Sequence, residues 1–281
     1  RLFRGSYAMC DAPLGHVQTD PPSTMKDYDE AIKPSNEPSR QFSDSKEGMI
    51  QIQYGTGTKT VQAEGSETTL IPRIPVVSHE IGQYATFPNF DEIPKYTGSL
   101  KAKNFEVFKA RLEAKGLGHL TRKYFECSGK LAVACYKEEL EAAFRSRHLA
   151  GFQLLDLQDF SGQGTALVGI LDAFMDSKGL ISPEDWRQYC SDVVLLARFE
   201  KYNYVSGESF RARVELVTYL ENPLNELNIQ WSLHRGEALI ANGQFEVIAN
   251  NVDTHHIVGE IEFCLPEVKT MTNATLSLQA A

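Results

Sequence analysis

The sequence predicts an α/β domain followed by an all-β domain, and three observations carry that expectation. Two short apolar runs, Ile74-Pro-Val-Val-Ser-His-Glu-Ile-Gly-Gln83 and Gly151-Phe-Gln-Leu-Leu-Asp-Leu-Gln-Asp-Phe160, each end abruptly in carboxylates and amides. A strand buried on both faces reads as a continuous apolar run, and in a β/α barrel the residues just past its carboxyl end project into the reaction site. Between the runs lies a stretch of helical periodicity, so strand, helix, strand gives the grammar of a parallel sheet. From about residue 193 the apolar pattern switches to period two with turn residues at short intervals, as in a small β-sandwich.

Taken in order, Leu2 to Met9 is a candidate strand, followed by a loop rich in turn formers, Asp11-Ala-Pro-Leu-Gly-His-Val-Gln-Thr-Asp-Pro-Pro22. Residues 23–32 suit a short helix capped by Ser23 or Thr24 and stopped by Pro34; residues 34–48 are polar. Alternation around Gly55 and Gly57 in 49–63 is a hairpin signal, and Gly55-Thr-Gly57 lacks the further glycine or Lys-Ser/Thr of a phosphate-binding loop. In 100–115, Phe105, Phe108 and Leu112 fall at helical spacing, with Gly116 as the stop. A helix is expected over 119–147, with Leu131 to Tyr136 packed on a sheet and Lys137, Glu138, Glu141 and Arg145 facing water. A further helix is expected over 165–178, ended by Gly179. Ser182-Pro-Glu-Asp then starts a last helix reaching about 191. Strands are expected at 211–219, 227–234, 243–248 and 256–263.

Composition excludes several function classes. Among 281 residues the formal charge is −9, with no Lys/Arg cluster to hold a phosphate backbone, so no nucleic-acid partner is expected. No apolar stretch approaches the roughly 18 residues that cross a bilayer, so no membrane partner is expected either. The five cysteines (Cys10, Cys127, Cys135, Cys190, Cys264) are scattered without a C-x-x-C pair, which argues against zinc and against a disulfide framework. Neither a metal nor a cofactor is expected.

The chemistry-bearing residues cluster at the ends of the two apolar runs. Hydrolysis of a glycosidic bond needs two carboxyl groups, one protonating the leaving oxygen and one attacking the anomeric carbon or activating water. Glu80 is the leading catalytic candidate, directly after Pro-Val-Val-Ser-His and two residues before Gly82, which permits a sharp turn. His79 is its adjacent hydrogen-bonding candidate. Gln153, Asp156 and Asp159 suit the binding of sugar hydroxyls, with helix capping as the structural alternative for Asp159. Tyr84, Phe87 and Phe90 offer either an apolar platform for a sugar ring or anchors for their own loop. His16, on the first loop, reaches the same pocket if residues 3–9 are a neighbouring strand.

The stretch Val76-Val-Ser-His-Glu-Ile-Gly-Gln83, followed about 70 residues later by Gly151-Phe-Gln-Leu-Leu-Asp-Leu-Gln-Asp159, resembles the last two barrel strands of retaining glycoside hydrolases of the family 2 type, the β-galactosidases and β-glucuronidases. Arg4-Gly-Ser-Tyr and Asp11-Ala-Pro-Leu-Gly-His16 are similar to members of the Bacteroidetes type. The resemblance implies that Glu80 is the nucleophile on strand seven and that Gly151, Phe152, Asp156 and Asp159 belong to strand eight. It also implies a carbohydrate substrate, an immunoglobulin-like sandwich after the barrel, and a periplasmic or secreted setting. Leu154-Leu155 departs from the family's Trp-rich strand eight. No Asn-Glu pair follows a buried strand to supply the acid/base: Asn36-Glu37 lies in a polar stretch and Asn225-Glu226 in the β-rich part. A complete (β/α)8 barrel takes about 250 residues, whereas 1–192 offers only about three parallel strands. The expectation is therefore the carboxyl-terminal part of a TIM barrel over 1–194 and a β-sandwich over 195–281, with the missing amino-terminal part of the same enzyme as partner. Two other functions fit these residues, a non-catalytic carbohydrate-binding or scaffold module and a metal-assisted barrel hydrolase.

Overall fold

A computed structural model of the chain describes residues 2–4, 23–29, 49–54, 57–62, 76–160, 163–220, 227–247 and 254–280. The chain divides into two compact units. The first takes Arg1–Asp20, Asp29–Glu139 and His148–Ser182; the second takes Pro21–Tyr28, Leu140–Arg147 and Pro183–Ala281.

In the first unit, Leu2–Arg4 (β1), Val76–Gly82 (β4) and Leu149–Leu155 (β5) form a three-stranded sheet in the order β1-β4-β5, parallel throughout. Met49–Tyr54 (β2) and Gly57–Gln62 (β3) pair as the antiparallel hairpin the alternation predicts. Among the described residues the parallel sheet has three strands, fewer than the eight that close a (β/α)8 barrel. The crossover from β4 to β5 runs through the helices Lys103–Ala114 (α1) and Thr121–Arg145 (α2).

The two crossover helices lie close to the expected bounds but bury different faces. In α1, Phe105 is buried and Leu112 packs beside it in a cluster with Phe90, Ala102 and Leu167, whereas Phe108 is exposed. In α2, the apolar run 131–136 does not pack as a block: Ala132 and Tyr136 are buried and Leu131 is 65% exposed. At 100° per residue a six-residue run goes more than once around the helix, so only part of it faces the core. Arg145, expected in water, is buried within the second unit, its Nε donating to the Lys26 carbonyl at 2.8 Å and its guanidinium pairing with Glu141 at 3.3 Å.

The expected helix over 165–178 is absent. That segment is irregular, held by bridges from Leu171 to Gln158 and to Ser177. Leu167, Val168 and Ile170 are all buried, which a one-sided helix cannot achieve for near-consecutive residues. At Gly169 a Cβ would collide with the Gln158–Asp159 backbone. The last helix, Pro183–Arg187 (α3), also stops before 191; it relaxes into a turn as the Gln188 and Tyr189 amides donate to Asp185 and Trp186, three residues back. Ser23 and Thr24 sit in a turn rather than capping a helix, and Thr24 exchanges hydrogen bonds with the Phe199 backbone. Residues 30–48 lie outside the described residues.

The second unit carries two antiparallel three-stranded sheets, an arrangement compatible with a β-sandwich. One has the order β10-β7-β6, from His255–Cys264 (β10), Ser209–Thr218 (β7) and Val193–Arg198 (β6). The other has the order β11-β8-β9, from Thr275–Ala280 (β11), Leu227–Arg235 (β8) and Ala238–Val247 (β9). Alternation places Phe210, Ala212, Val214 and Ile261 on the inner face of the first sheet, against Trp231, Phe245, Leu276 and Leu278 of the second. Trp231 stacks on Phe263 with ring centroids 5.9 Å apart.

Candidate functional site

The carboxyl end of β4 departs from regular strand geometry. Ser78 pairs with Phe152 and Ile81 with Leu154, so His79 and Glu80 together stand opposite the single residue Gln153. That is a β-bulge, a device that re-aims side chains and recurs beside active sites. At the bulge Glu80 takes φ = 58°, and the left-handed conformation returns at Gly82 (107°) and Gln83 (70°). For residues with a Cβ this region is costly and persists only where neighbouring contacts enforce it. The Gln83 amide donates to the Leu155 carbonyl at 2.8 Å, and its side-chain Nε2 donates to Glu80 Oε2 at 3.1 Å.

Beneath this turn, α2 presents Tyr136 and Glu139, one helical turn apart and both buried. Tyr136 donates its hydroxyl to the Val168 carbonyl at 2.6 Å, and its ring lies where a side chain on Gly82 would have to be. Glu139 Oε2 accepts from the Gly82 amide at 3.1 Å and from the Tyr84 hydroxyl at 2.5 Å. Burial pushes the Glu139 carboxyl up to about 7, against the opposing pull of those two hydrogen bonds.

At the end of β5 the Leu155–Asp156 peptide is cis, and Asp156 Oδ1 accepts from the Leu157 amide at 2.7 Å. Farther along, Asp159 is buried and pairs with Lys178 at 2.6 Å while accepting from the Gly169 amide at 2.9 Å. Burial raises its carboxyl despite the attraction of Lys178. Lys178 also donates to Thr86 Oγ1 at 3.2 Å, which ties the loop after β4 to the loop after β5. Glu92 belongs to the same group of charges and is pushed up to about 7, first by burial and then by the charge of Asp159. Lys95 pairs with Asp172, and with Asp176 at 2.8 Å.

Of the residues singled out from sequence, Glu80, Gln153 and the His79 backbone meet at the bulge, with Asp156 just beyond the adjacent strand. Gln153 is exposed and Glu80 half-buried. Asp159 and Tyr84 are not brought to that end as open groups. Asp159 is taken up by Lys178 and Gly169. The Tyr84 ring is buried edge-on to Tyr136 at 5.2 Å, so it anchors its loop rather than forming a platform, and Phe87 and Phe90 pack in the cluster around Phe105. His16 lies outside the described residues. Sequence reasoning missed Gln83, Tyr136, Glu139 and Lys178. Glu139 had a signal, a carboxylate three residues after Tyr136 and immediately before Leu140 on the apolar face of a helix; Lys178 had none.

Among the described residues no group of three or more His, Cys, Asp or Glu side chains is arranged to hold a metal ion, and no helix is long and apolar enough to cross a membrane. The four described cysteines, Cys127, Cys135, Cys190 and Cys264, are free thiols. Residues 208–281, from the end of the turn before β7 onward, match a family described as a domain of unknown function, DUF8488. No curated protein matches the chain.

Proposed function

We propose that the chain carries the nucleophile of a retaining, exo-acting β-glycosidase, with Glu80 in that role. The observation that supports this reading is the bulge at the carboxyl end of β4, which sets a left-handed carboxylate residue opposite Gln153 on the adjacent parallel strand. In this reading the three parallel strands are part of a (β/α)8 barrel, and the two antiparallel sheets form an immunoglobulin-like sandwich after it. Glu80 attacks the anomeric carbon as the glycosidic bond breaks and the acid/base carboxyl protonates the departing oxygen. Water, deprotonated by that same group, then attacks the anomeric carbon and releases Glu80. The acid/base comes from outside the described residues, about 5–5.5 Å from Glu80 as retention requires. Gln153 and Asp156 supply polar groups for substrate hydroxyls.

The test is carried out on the full-length protein with a panel of aryl β-glycosides. Glu80→Gln is expected to lower kcat by about 10³-fold or more, roughly 4 kcal/mol of transition-state stabilisation. A 2-deoxy-2-fluoro glycoside that inactivates the protein is expected to leave its sugar on the peptide containing Glu80. Near-normal turnover by Glu80→Gln refutes the assignment. Sugar binding without turnover across the panel favours a carbohydrate-binding module instead.

A further inference from the structure

We infer that Glu139 is a positioning residue for Glu80, acting through the turn at Gly82 and Gln83. The inference rests on Glu80 being the nucleophile, but the contacts that carry it are independent of that role. Three of the four backbone positions from Glu80 to Gln83 are left-handed, and two of the three bear side chains. Such a segment keeps one conformation only if it is tied from several sides. Gln83 is tied to Leu155 of the neighbouring strand through its amide. Gly82 is tied to α2, its amide donating to Glu139 at 3.1 Å while the Tyr136 ring closes the space above its Cα. The Tyr84 hydroxyl, 2.5 Å from the same Glu139 oxygen, fixes the carboxyl in place from the far side of the turn.

The consequence reaches Glu80 directly. Gln83 follows the anchored Gly82, and its Nε2 holds Glu80 Oε2 at 3.1 Å. A slack turn would let Gln83 drift and loosen one of the contacts that orient the carboxylate. Glu139 is 2% exposed, and among the described residues no Lys or Arg pairs with it. A buried carboxyl without a countercharge is costly to a fold, and a hydrophobic residue would fill the same position on α2 more cheaply. Its two hydrogen bonds both go to the turn that carries the nucleophile.

The test is a graded series in the full-length protein: wild type, Glu139→Gln, which keeps an acceptor of the same size, and Glu139→Leu, which removes it. Amide hydrogen exchange at Gly82 and Gln83 is expected to accelerate in that order while exchange in α1 stays constant. On the substrate that the wild type turns over best, kcat is expected to fall with it, to roughly 10²-fold below wild type in Glu139→Leu, with KM within about twofold and Glu139→Gln recovering most of the loss. Should Glu139→Leu not fold, Glu139→Gln and Tyr84→Phe carry the comparison. Unchanged exchange at Gly82 overturns the inference, and so does faster exchange with unchanged kcat. If no glycoside is turned over at all, the glycosidase reading fails separately. The ¹³C shift of the Glu80 carboxyl then decides, since it must move in Glu139→Leu, or in Tyr84→Phe where Glu139→Leu does not fold, and stay close to wild type in Glu139→Gln if Glu139 positions that group.

Discussion

At the scale of single residues, two strongly perturbed carboxyls among the described residues of the first unit were poorly legible from sequence. Glu139 is buried on α2 and Glu92 in the charge group of Asp159, Lys178, Asp172 and Lys95; both are pushed from 4.5 up to about 7, chiefly by burial. Each binds its proton more tightly in the folded chain than in the unfolded one. Their contribution to stability is therefore full below about pH 4.5 and is lost as the pH rises through about 7. Denaturant unfolding is expected to show stability falling between about pH 5 and about pH 8, with Glu139 accounting for a loss on the order of 3 kcal/mol. Glu139→Gln cannot titrate, so its stability should decline less over that range. An unaltered decline in the variant would assign the titration elsewhere. Sequence patterning misses such groups because it scores a carboxylate as a surface residue, whereas its burial depends on a tyrosine hydroxyl and a backbone amide more than fifty positions earlier in the chain.

At the scale of elements, what could be read was whatever local chemistry decides. The stop of α1 is such a case: the Gly116 amide donates to Glu113 and the Leu117 amide to Leu112, a Schellman end built around φ = 71° at Gly116, as the glycine alone suggests. The segment 165–178 is the opposite case, since Leu167, Val168 and Ile170 imitate helical spacing while the loops around them bury all three. Gly82 joins the two kinds of information. Its sequence marks a turn, but its φ of 107° and the fully buried Tyr136 ring over its Cα belong to tertiary packing. Gly82→Ala is expected to cost about 3 kcal/mol, because the new methyl meets a ring that has no room to move and the backbone angle is unfavourable as well. Gly116→Ala, with open space around it, should cost only about 1 kcal/mol. Comparable losses in urea melts of the two variants would mean that the Tyr136 contact does not constrain the turn.

At the scale of the whole molecule, the change of pattern near residue 193 announced the sheets of the second unit but not the segments recruited to it. Alternation in β7, β8 and β10 is a local property, so the strand positions could be read directly. That Pro21–Tyr28 and Leu140–Arg147 join the same unit could not, because it depends on partners distant in sequence: Phe144 meets Tyr219 at 6.0 Å, Thr24 bonds the Phe199 backbone, and charged groups add further ties. Arg198, at the end of β6, is the main charged group. It pairs with Glu215 of β7 at 2.9 Å and with Asp27 at 3.1 Å, and donates to the Arg145 carbonyl at 3.2 Å. The segment matching DUF8488 begins at residue 208 and includes Glu215 but not Arg198, so the carboxylate and its cation fall on opposite sides of that boundary. Removing one partner of a buried pair leaves the other charged and desolvated, which costs far more than the pair itself contributes. Arg198→Met should accordingly destabilise the second unit by about 3 kcal/mol, and Arg198→Met combined with Glu215→Leu should recover most of that loss. Both tryptophans, Trp186 and Trp231, lie in this unit, so tryptophan fluorescence during urea unfolding reads it selectively. If the single variant unfolds at the wild-type midpoint, Arg198 contributes only a surface contact, and β6 is held to β7 by Val194, Leu196 and the strand ladder alone.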